Sequence, residues 1–365
     1  MGKKRYVTIW LVLSLFLLVG CSGCGISHSE QFFDRSGVAM DTTISLRAAG
    51  GEAQQAIDES FASIEKLDRL ASTNNPNSDV SKINRAAGKD YVSVDPMIYE
   101  MIALSKSYAA KSNGSFDITV GIFTRLWDIG NPDQHIPSPK SIRDNLQYVN
   151  YQDILLRPTD HAVKLAKPGM YIDLGGVAKG YAVDVVRDIY KRHHVQQGLI
   201  NLGASSMFAL GKNAKQTEWN IGIKHPRSDE DGNYLGIIKI ENQFLSTSGD
   251  YERYFIKNGV RYHHIFDPKT GYPARSGVIS DSIIIQEDIP HAGILSDILT
   301  TVVFVLGPQK GLAFIQNMPG VECEITGENG ILYMTEGFKQ RTSDINQDFR
   351  LSSYCLLYTS PSPRD

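Results

Sequence analysis

The segment Tyr171-Ile-Asp-Leu-Gly-Gly-Val-Ala-Lys-Gly-Tyr-Ala-Val-Asp184 places an apolar strand end, a carboxylate, a glycine pair and a lysine at the opening of a helix. Gly175 and Gly176 lack a Cβ, which permits positive φ and a close approach of main chain to ligand. The helix expected over 180–194 would offer unpaired N–H groups and a positive dipole end to an anion, and Lys179 adds a full charge. Asp173 would repel phosphates unless it bonds a ribose, a ring nitrogen or a cation, so the expected ligand is more than bare phosphate. The competing reading of Gly-Gly between strand and helix is a tight turn and nothing more.

Two further groupings could carry chemistry. In Arg261-Tyr-His-His-Ile-Phe-Asp-Pro-Lys-Thr-Gly-Tyr-Pro273, Asp267-Pro and Thr270-Gly build a tight turn just after His264. Histidine exchanges protons near neutral pH, and the neighbouring Asp267 could orient its ring and stabilise the charged form. A structural histidine before a turn is the alternative. Asp297 and Thr301 stand four residues apart and share one face of an otherwise apolar helix. Burying both unsatisfied would be costly. A hard cation such as Mg²⁺ uses such oxygens together with phosphates and waters; a hydrogen bond across one turn would also satisfy them.

Several elements must position these groups. Ala53–Leu70 repeats Ile57, Phe61, Ile64 and Leu67 at helical spacing, and Asp95-Pro96 reads as a cap and first turn for a second helix. Between them, Ser72–Ser81 is a polar loop, and Asn131–Pro139 is another. Strands are predicted at Ala162–Leu165, Gly198–Asn201, Asn220–Lys224, Gly236–Glu241 and Ile279–Gln286. A late helix follows over Pro290–Phe304, then Val321–Thr326 and Ile331–Thr335 flank the hairpin turn Glu328-Asn-Gly330. Front helices, clustered strands and a late helix imply an α+β fold with antiparallel or mixed sheets flanked by helices, not a regular βαβ array.

At 365 residues and 42% apolar, with a net charge of -3, the chain can bury a large core. It lacks the basic footprint of a nucleic-acid binder. Lys3, Lys4 and Arg5 precede the apolar run Ile9–Val19, Gly20 and Cys21, the order of an export signal. Leu18-Val-Gly-Cys21 resembles the bacterial lipobox, which implies cleavage after residue 20, lipidation of Cys21 and a membrane-anchored lipoprotein on the exported side of a bacterial envelope. Residues 21–30 then form a short polar tether, and the domain is expected over 31–345. Cys24, Cys323 and Cys355 make neither a disulfide framework nor a zinc pattern. Of the tail 346–365, residues 355–365 (CLLYTSPSPRD) resemble a translated sequencing adapter.

The chain resembles the ApbE family, the FAD:protein FMN transferases, over Phe32 to Asp344. The motifs match in order: Met40 with Thr42, Ser115-Phe-Asp-Ile-Thr-Val-Gly121, Asp173-Leu-Gly-Gly-Val-Ala-Lys-Gly180, Asn201-Leu-Gly203, the polar loop Ser246-Thr-Ser-Gly-Asp250, His264 with Asp267-Pro-Lys-Thr-Gly271, and Asp297 with Thr301. The resemblance implies a Mg²⁺-dependent transfer of FMN from FAD to a Thr or Ser hydroxyl of an exported flavoprotein, such as an electron-transport subunit with an FMN-binding domain, with release of AMP. It also implies site roles. Mg²⁺ would be held by Asp297, Thr301 and the Gly176 carbonyl. His264 would be the base, with Asp267 steadying it. Asp173, Lys179, Met40, Asn74, Ser115, Phe116, Asp117, Ser248 and Ile265 would bind the flavin nucleotide.

The chain departs from the family pattern at two places. Asn74 stands in Ser72-Thr-Asn-Asn-Pro76 where an aromatic residue is common, and Gly203-Ala-Ser-Ser206 replaces Gly-Gly-Asp or Gly-Gly-Asn. Losing a stacking ring makes hydrolysis of FAD to FMN and AMP an alternative activity, and a non-catalytic flavin-binding lipoprotein a third reading.

Overall fold

The computed structural model describes residues 31–352 apart from position 229. The expected signal peptide, Cys21, the tether through residue 30 and the tail from 353 lie outside the described residues. The main sheet has nine strands in the order β1 (Phe33–Ala39), β2 (Thr42–Ala49), β6 (Gln197–Leu202), β7 (Ser206–Leu210), β10 (Gln243–Gly249), β13 (Val278–Gln286), β14 (Val321–Gly327), β15 (Ile331–Met334) and β17 (Arg350–Leu351). Every neighbouring pair is antiparallel except β15–β17. Smaller sheets join β3 (Val92–Ser93), β5 (Ala162–Leu165) and β4 (Ile154–Arg157); β16 (Thr342–Ser343), β9 (Tyr234–Ile240) and β8 (Trp219–Lys224); and the hairpin β11 (Tyr254–Lys257) with β12 (Val260–His263). The α+β expectation with antiparallel and mixed sheets holds.

The sheet is covered on both faces, which explains the unbroken Ile283-Ile-Ile285 run on β13. Ile283 and Ile285 join the core beneath helices α1 (Ala53–Ala71), α6 (Ala178–Arg192) and α7 (Ala292–Leu306), while Ile284 packs with Trp219, Ile221 and Ile238 of the β8–β9 sheet. Burying each such isoleucine stabilises by roughly 1.5–3 kcal/mol. Helix α1 buries Ile57, Phe61, Ile64 and Leu67 as its spacing requires. Helix α3 (Pro96–Lys111) starts as expected, with the Asp95 carboxylate accepting from the Met97 N–H at 3.0 Å.

Three sequence expectations change. The polar loop at 72–81 runs into a short helix, α2 (Asp79–Arg85), capped by Ser78. Ser246-Thr-Ser lies on β10 in the middle of the sheet, because each hydroxyl finds a partner there: Ser296 and Asp297 for Ser246, Ser282 for Thr247, Thr300 for Ser248. The ordered chain also runs past 345, where β17 pairs with β15 and the Ser352 N–H donates to the Leu332 carbonyl at 2.8 Å.

Candidate active site

Helices α6 and α7 touch through glycines. A Cβ on Gly180 would stand 2.2 Å from the Gly293 carbonyl oxygen, and one on Gly293 2.3 Å from that of Gly180. At this contact the helices exchange carboxylate caps. Asp184 of α6 accepts from the N–H groups of Gly293 and Ile294 at 2.9 Å each, covering the start of α7. Asp297 of α7 accepts from the Gly180 N–H at 2.7 Å, covering the start of α6. The other Asp297 oxygen accepts from Ser206 Oγ at 2.7 Å and Ser246 Oγ at 2.8 Å. Burial pushes the Asp297 carboxyl up, with Lys179 and the three donors opposing it. Lys179 donates to Ser205 Oγ, and burial lowers its ammonium while Asp297 raises it.

The glycine turn is built differently from the expectation. Neither Gly175 nor Gly176 is among the glycines at positive φ. Their missing Cβ atoms matter for openness: both are exposed, a Cβ on Gly175 would stand 3.1 Å from Asp173 Oδ1, and one on Gly176 4.0 Å from the Phe116 ring. The N–H groups at the head of α6 are also largely spent, since Val177 and Ala178 donate to the Leu174 carbonyl and Gly180 to Asp297. The helix terminus is therefore not an open anion cradle, and Lys179 and Arg253 bring positive charge beside it. Asp173 Oδ1 accepts from the Gly175 N–H at 2.7 Å, which shapes the turn.

Sequence reasoning missed a residue that holds this turn. The Asn84 side chain on α2 grips the Ile172 main chain at both ends, accepting from its N–H at 2.8 Å and donating to its carbonyl at 3.0 Å. An asparagine in a short helix carries no local sign of a partner 88 residues away. Asp117, expected to contact flavin, uses both carboxylate oxygens within the fold: it accepts from the Thr119 N–H and hydroxyl and from the Tyr151 N–H, and burial raises its carboxyl. Ser115 and Phe116 are buried beside it, with Phe116 against the glycine turn.

His264 follows β12. Its Nδ1 lies 3.2 Å from the Arg253 carbonyl, which can only accept, so Nδ1 carries the proton and Nε2 keeps the lone pair. The ring is half-buried, and its protonation is pushed down to about 3, first by burial and then by the charge of Arg253, so it is neutral at physiological pH. Lys179 contributes to that shift too, which puts the imidazole within electrical reach of the ammonium that Asp297 also acts on. Asp267 does not steady the ring. Its oxygens accept from the Lys269 N–H at 2.9 Å and Thr270 Oγ1 at 3.2 Å, closing the turn. Arg253 supplies the orientation that Asp267 was expected to give. The adjoining Ile265 is buried, its N–H 3.3 Å from His263 Nδ1.

The short helix α4 (Gly121–Trp127) ties the two sides. A Cβ on Gly121 would meet the Asp173 main chain at 2.7 Å, while Trp127 Nε1 donates to the Gly271 carbonyl at 3.0 Å and Phe123 fills the space where Gly271 lacks a side chain. A hairpin turn at Met40 and Asp41, both at positive φ, brings Thr42 against Gly203, beside the Ser205 and Ser206 that bind Lys179 and Asp297. Ser248 donates to Thr300 one position from Thr301. Asn74 is exposed, in a loop whose main chain is pinned to Ser72.

These residues fit a hard cation in one way. Asp297 Oδ2 accepts only one of the bonds above, and the Thr301 hydroxyl is held weakly, 3.5 Å from the Asp297 carbonyl. Among the described residues no group of three His, Cys, Asp or Glu side chains could hold a metal. Mg²⁺ often binds through one or two carboxylates and lets substrate phosphates and waters complete its shell.

Residues 40–325 match the model of the ApbE family. The FAD:protein FMN transferase of Treponema pallidum (strain Nichols) is 31% identical over 323 residues, 84% of this chain and 87% of that protein. The one from Klebsiella pneumoniae (strain 342) is 32% identical over 322 residues, 88% and 98%. The crystal structure of the ApbE protein of Thermotoga maritima matches with a TM-score of 0.77 at 31% identity, covering 86% of this chain and all of that one. The apo flavinyl transferase ApbE of Pseudomonas stutzeri matches at 0.74 and 27% identity, covering 86% and 97%.

Proposed function

This chain belongs to the ApbE family, and from that premise we propose that it is an FAD:protein FMN transferase that moves FMN from FAD to a Thr or Ser hydroxyl of an exported flavoprotein and releases AMP. The observation that carries the reading is the neutral imidazole of His264, its Nε2 free, within electrical reach of the Lys179–Asp297 node.

The residues divide the work. Lys179 draws in the pyrophosphate, whose charge restores the ammonium that burial weakens. The exposed Gly175–Gly176 main chain lets phosphates approach closely, and Asn84 keeps that strand end fixed. His264 Nε2 takes the proton of the incoming hydroxyl. The hydroxyl oxygen forms a bond to the FMN phosphorus, the bond from that phosphorus to the bridging oxygen breaks, and AMP leaves with the electron pair. Mg²⁺, held by Asp297, Thr301 and the Gly176 carbonyl, would supply charge neutralisation across the pyrophosphate. The lipobox-like Leu18–Cys21 would tether the enzyme to the membrane on the exported side, where its acceptor is.

Mixing the purified protein with FAD and Mg²⁺, with and without an acceptor FMN-binding domain, tests this reading. AMP that depends on acceptor is the expected result; no AMP under either condition refutes it. A second reading, FAD pyrophosphatase, is favoured by the exposed Asn74 in place of a ring. It requires AMP without acceptor. Asn74→Tyr should then lower that AMP and tighten FAD by about fivefold, the equivalent of ~1 kcal/mol of stacking.

A further inference from the structure

Resting on the transferase reading, we propose that the Arg253 guanidinium binds the FMN-side phosphate of FAD, the one that the incoming hydroxyl attacks. This is a role separate from the hold of its main chain on His264. Arg253 precedes β11, and its carbonyl accepts from the His264 N–H at 3.1 Å and lies 3.2 Å from His264 Nδ1. Residue and imidazole are thereby fixed to each other. The aliphatic stem rests on Gly130, where a Cβ would stand 3.6 Å from Arg253 Cδ and 3.8 Å from Arg253 Cβ. Packing therefore guides the stem, and the charged head is carried beyond it.

That head is unengaged, unlike those of its neighbours. Arg227 forks onto the Asp250 carboxylate at 2.6 and 2.8 Å, Arg261 lies 3.7 Å over the Tyr254 ring, and Arg275 lies 5.6 Å over the Tyr262 ring. Arg253 is exposed, and its guanidinium has no hydrogen bond, ion pair or ring contact among the described residues. Its charge nevertheless acts inward. After burial, Arg253 is the largest influence against protonation of His264; Lys179 is lowered by burial first and, against the pull of Asp297, by Arg253 as well. Arg253 and Lys179 thus repel each other across the site, a cost that an anionic pyrophosphate between them reverses. The chemistry selects the phosphate. His264 Nε2 takes the proton of the hydroxyl that bonds to the FMN phosphorus, so that phosphorus must come nearest the imidazole, and Arg253 is the cation fixed to that imidazole. A guanidinium fork suits two non-bridging oxygens of one phosphate and would stabilise the charge on them as the new bond forms.

Ligand pairs that differ by one phosphate test the assignment on the intact protein in Mg²⁺ buffer. FMN against riboflavin isolates the FMN-side phosphate, and AMP against adenosine isolates the other. Arg253→Gln keeps the carbonyl that holds His264 and breaks no side-chain bond. In this variant the preference for FMN over riboflavin should fall about ten- to hundredfold, the loss of one charge-assisted pair, while the preference for AMP over adenosine stays at the wild-type value. The kcat/KM for FAD should fall by a similar factor, and Arg253→Lys, which keeps the charge without the fork, should recover part of it. An unchanged preference for FMN, or a loss confined to AMP, overturns the contact. Equal weakening of FMN and riboflavin overturns it too, because it marks a structural effect. These results would leave the transferase reading standing if the wild-type protein still flavinylates its acceptor. A wild-type protein that releases no AMP from FAD, with or without acceptor, overturns that reading and the assignment with it.

Discussion

Asp297 sits where two long helices touch through glycines and trade carboxylate caps, whereas His264 sits at the end of a two-stranded hairpin with one edge in solvent. The first region is continuous with the main core; the second rests on a smaller cluster of Phe123, Trp127, Ile142 and Phe266. The side that must hold charge in fixed places is thus built into the fold. The side that, on the transferase reading, would admit a second protein is built on the periphery, where local opening costs less. Each variant below either separates the two regions or shows that they are one unit.

Asp297→Ala should abolish AMP release and also destabilise the fold by about 3 kcal/mol, because the hydroxyls of Ser206 and Ser246 and the Gly180 N–H lose their acceptor inside the protein. Asp297→Asn should restore much of the stability and none of the activity. Urea midpoints paired with AMP assays check both. An Asp297→Ala protein as stable as wild type would break the comparison.

His264→Ala should slow transfer by about 10²–10⁴-fold, the usual contribution of a positioned base, while leaving FAD bound. Its unfolding midpoint should move by less than that of Asp297→Ala, about 1 kcal/mol, since it loses one ring bond to the Arg253 carbonyl and the contacts of a half-buried ring. A stability loss as large as that of Asp297→Ala would place the histidine in the same rigid unit.

The two regions should also respond to acid with opposite sign. Burial pushes the Asp184 carboxyl at the helix crossing up to about 6 from 3.8, so the folded protein binds the extra proton. Its stabilisation is full below about pH 4 and falls as pH rises to about 6. His264 is pushed down from 6.5 to about 3, so its contribution is full above pH 6.5 and is lost as pH falls toward 3. Relative to wild type, Asp184→Asn should therefore gain stability between pH 4 and 6 as pH rises, and His264→Gln should gain as pH falls below 6.5. Slopes of the same sign in both variants would contradict the assigned causes.

In the rigid region, Asp297, Thr301, Lys179 and the glycine pair stand out through local spacing, and helix and strand periodicity located most elements around them, but the open helix end expected there is closed by Asp297 and the Leu174 carbonyl. What stayed hidden depends on distant partners. The Ser246–Ser248 stretch looks like a loop until Asp297, Ser282 and Thr300 are seen to satisfy its hydroxyls. Asn84 gives no sign of gripping Ile172. In the peripheral region proximity in sequence misled: Asp267 is three residues from His264 but bonds its own turn, while Arg253, eleven residues away, holds the ring.

The smallest expected effect sharpens that last point. Asp267→Ala removes the acceptor for the Lys269 N–H and Thr270 Oγ1, a cap whose loss costs about 1 kcal/mol. The turn keeps its main-chain bonds from Gly271 and Thr270 to the Asp267 carbonyl, and Trp127 still donates to Gly271. The imidazole keeps its bond to Arg253 in either case. Transfer should therefore fall only a fewfold, far less than in His264→Ala, with an unshifted pH profile. A loss equal to that of His264→Ala, or a profile displaced along the pH axis, would mean that the carboxylate turns to the ring once acceptor and FAD are in place.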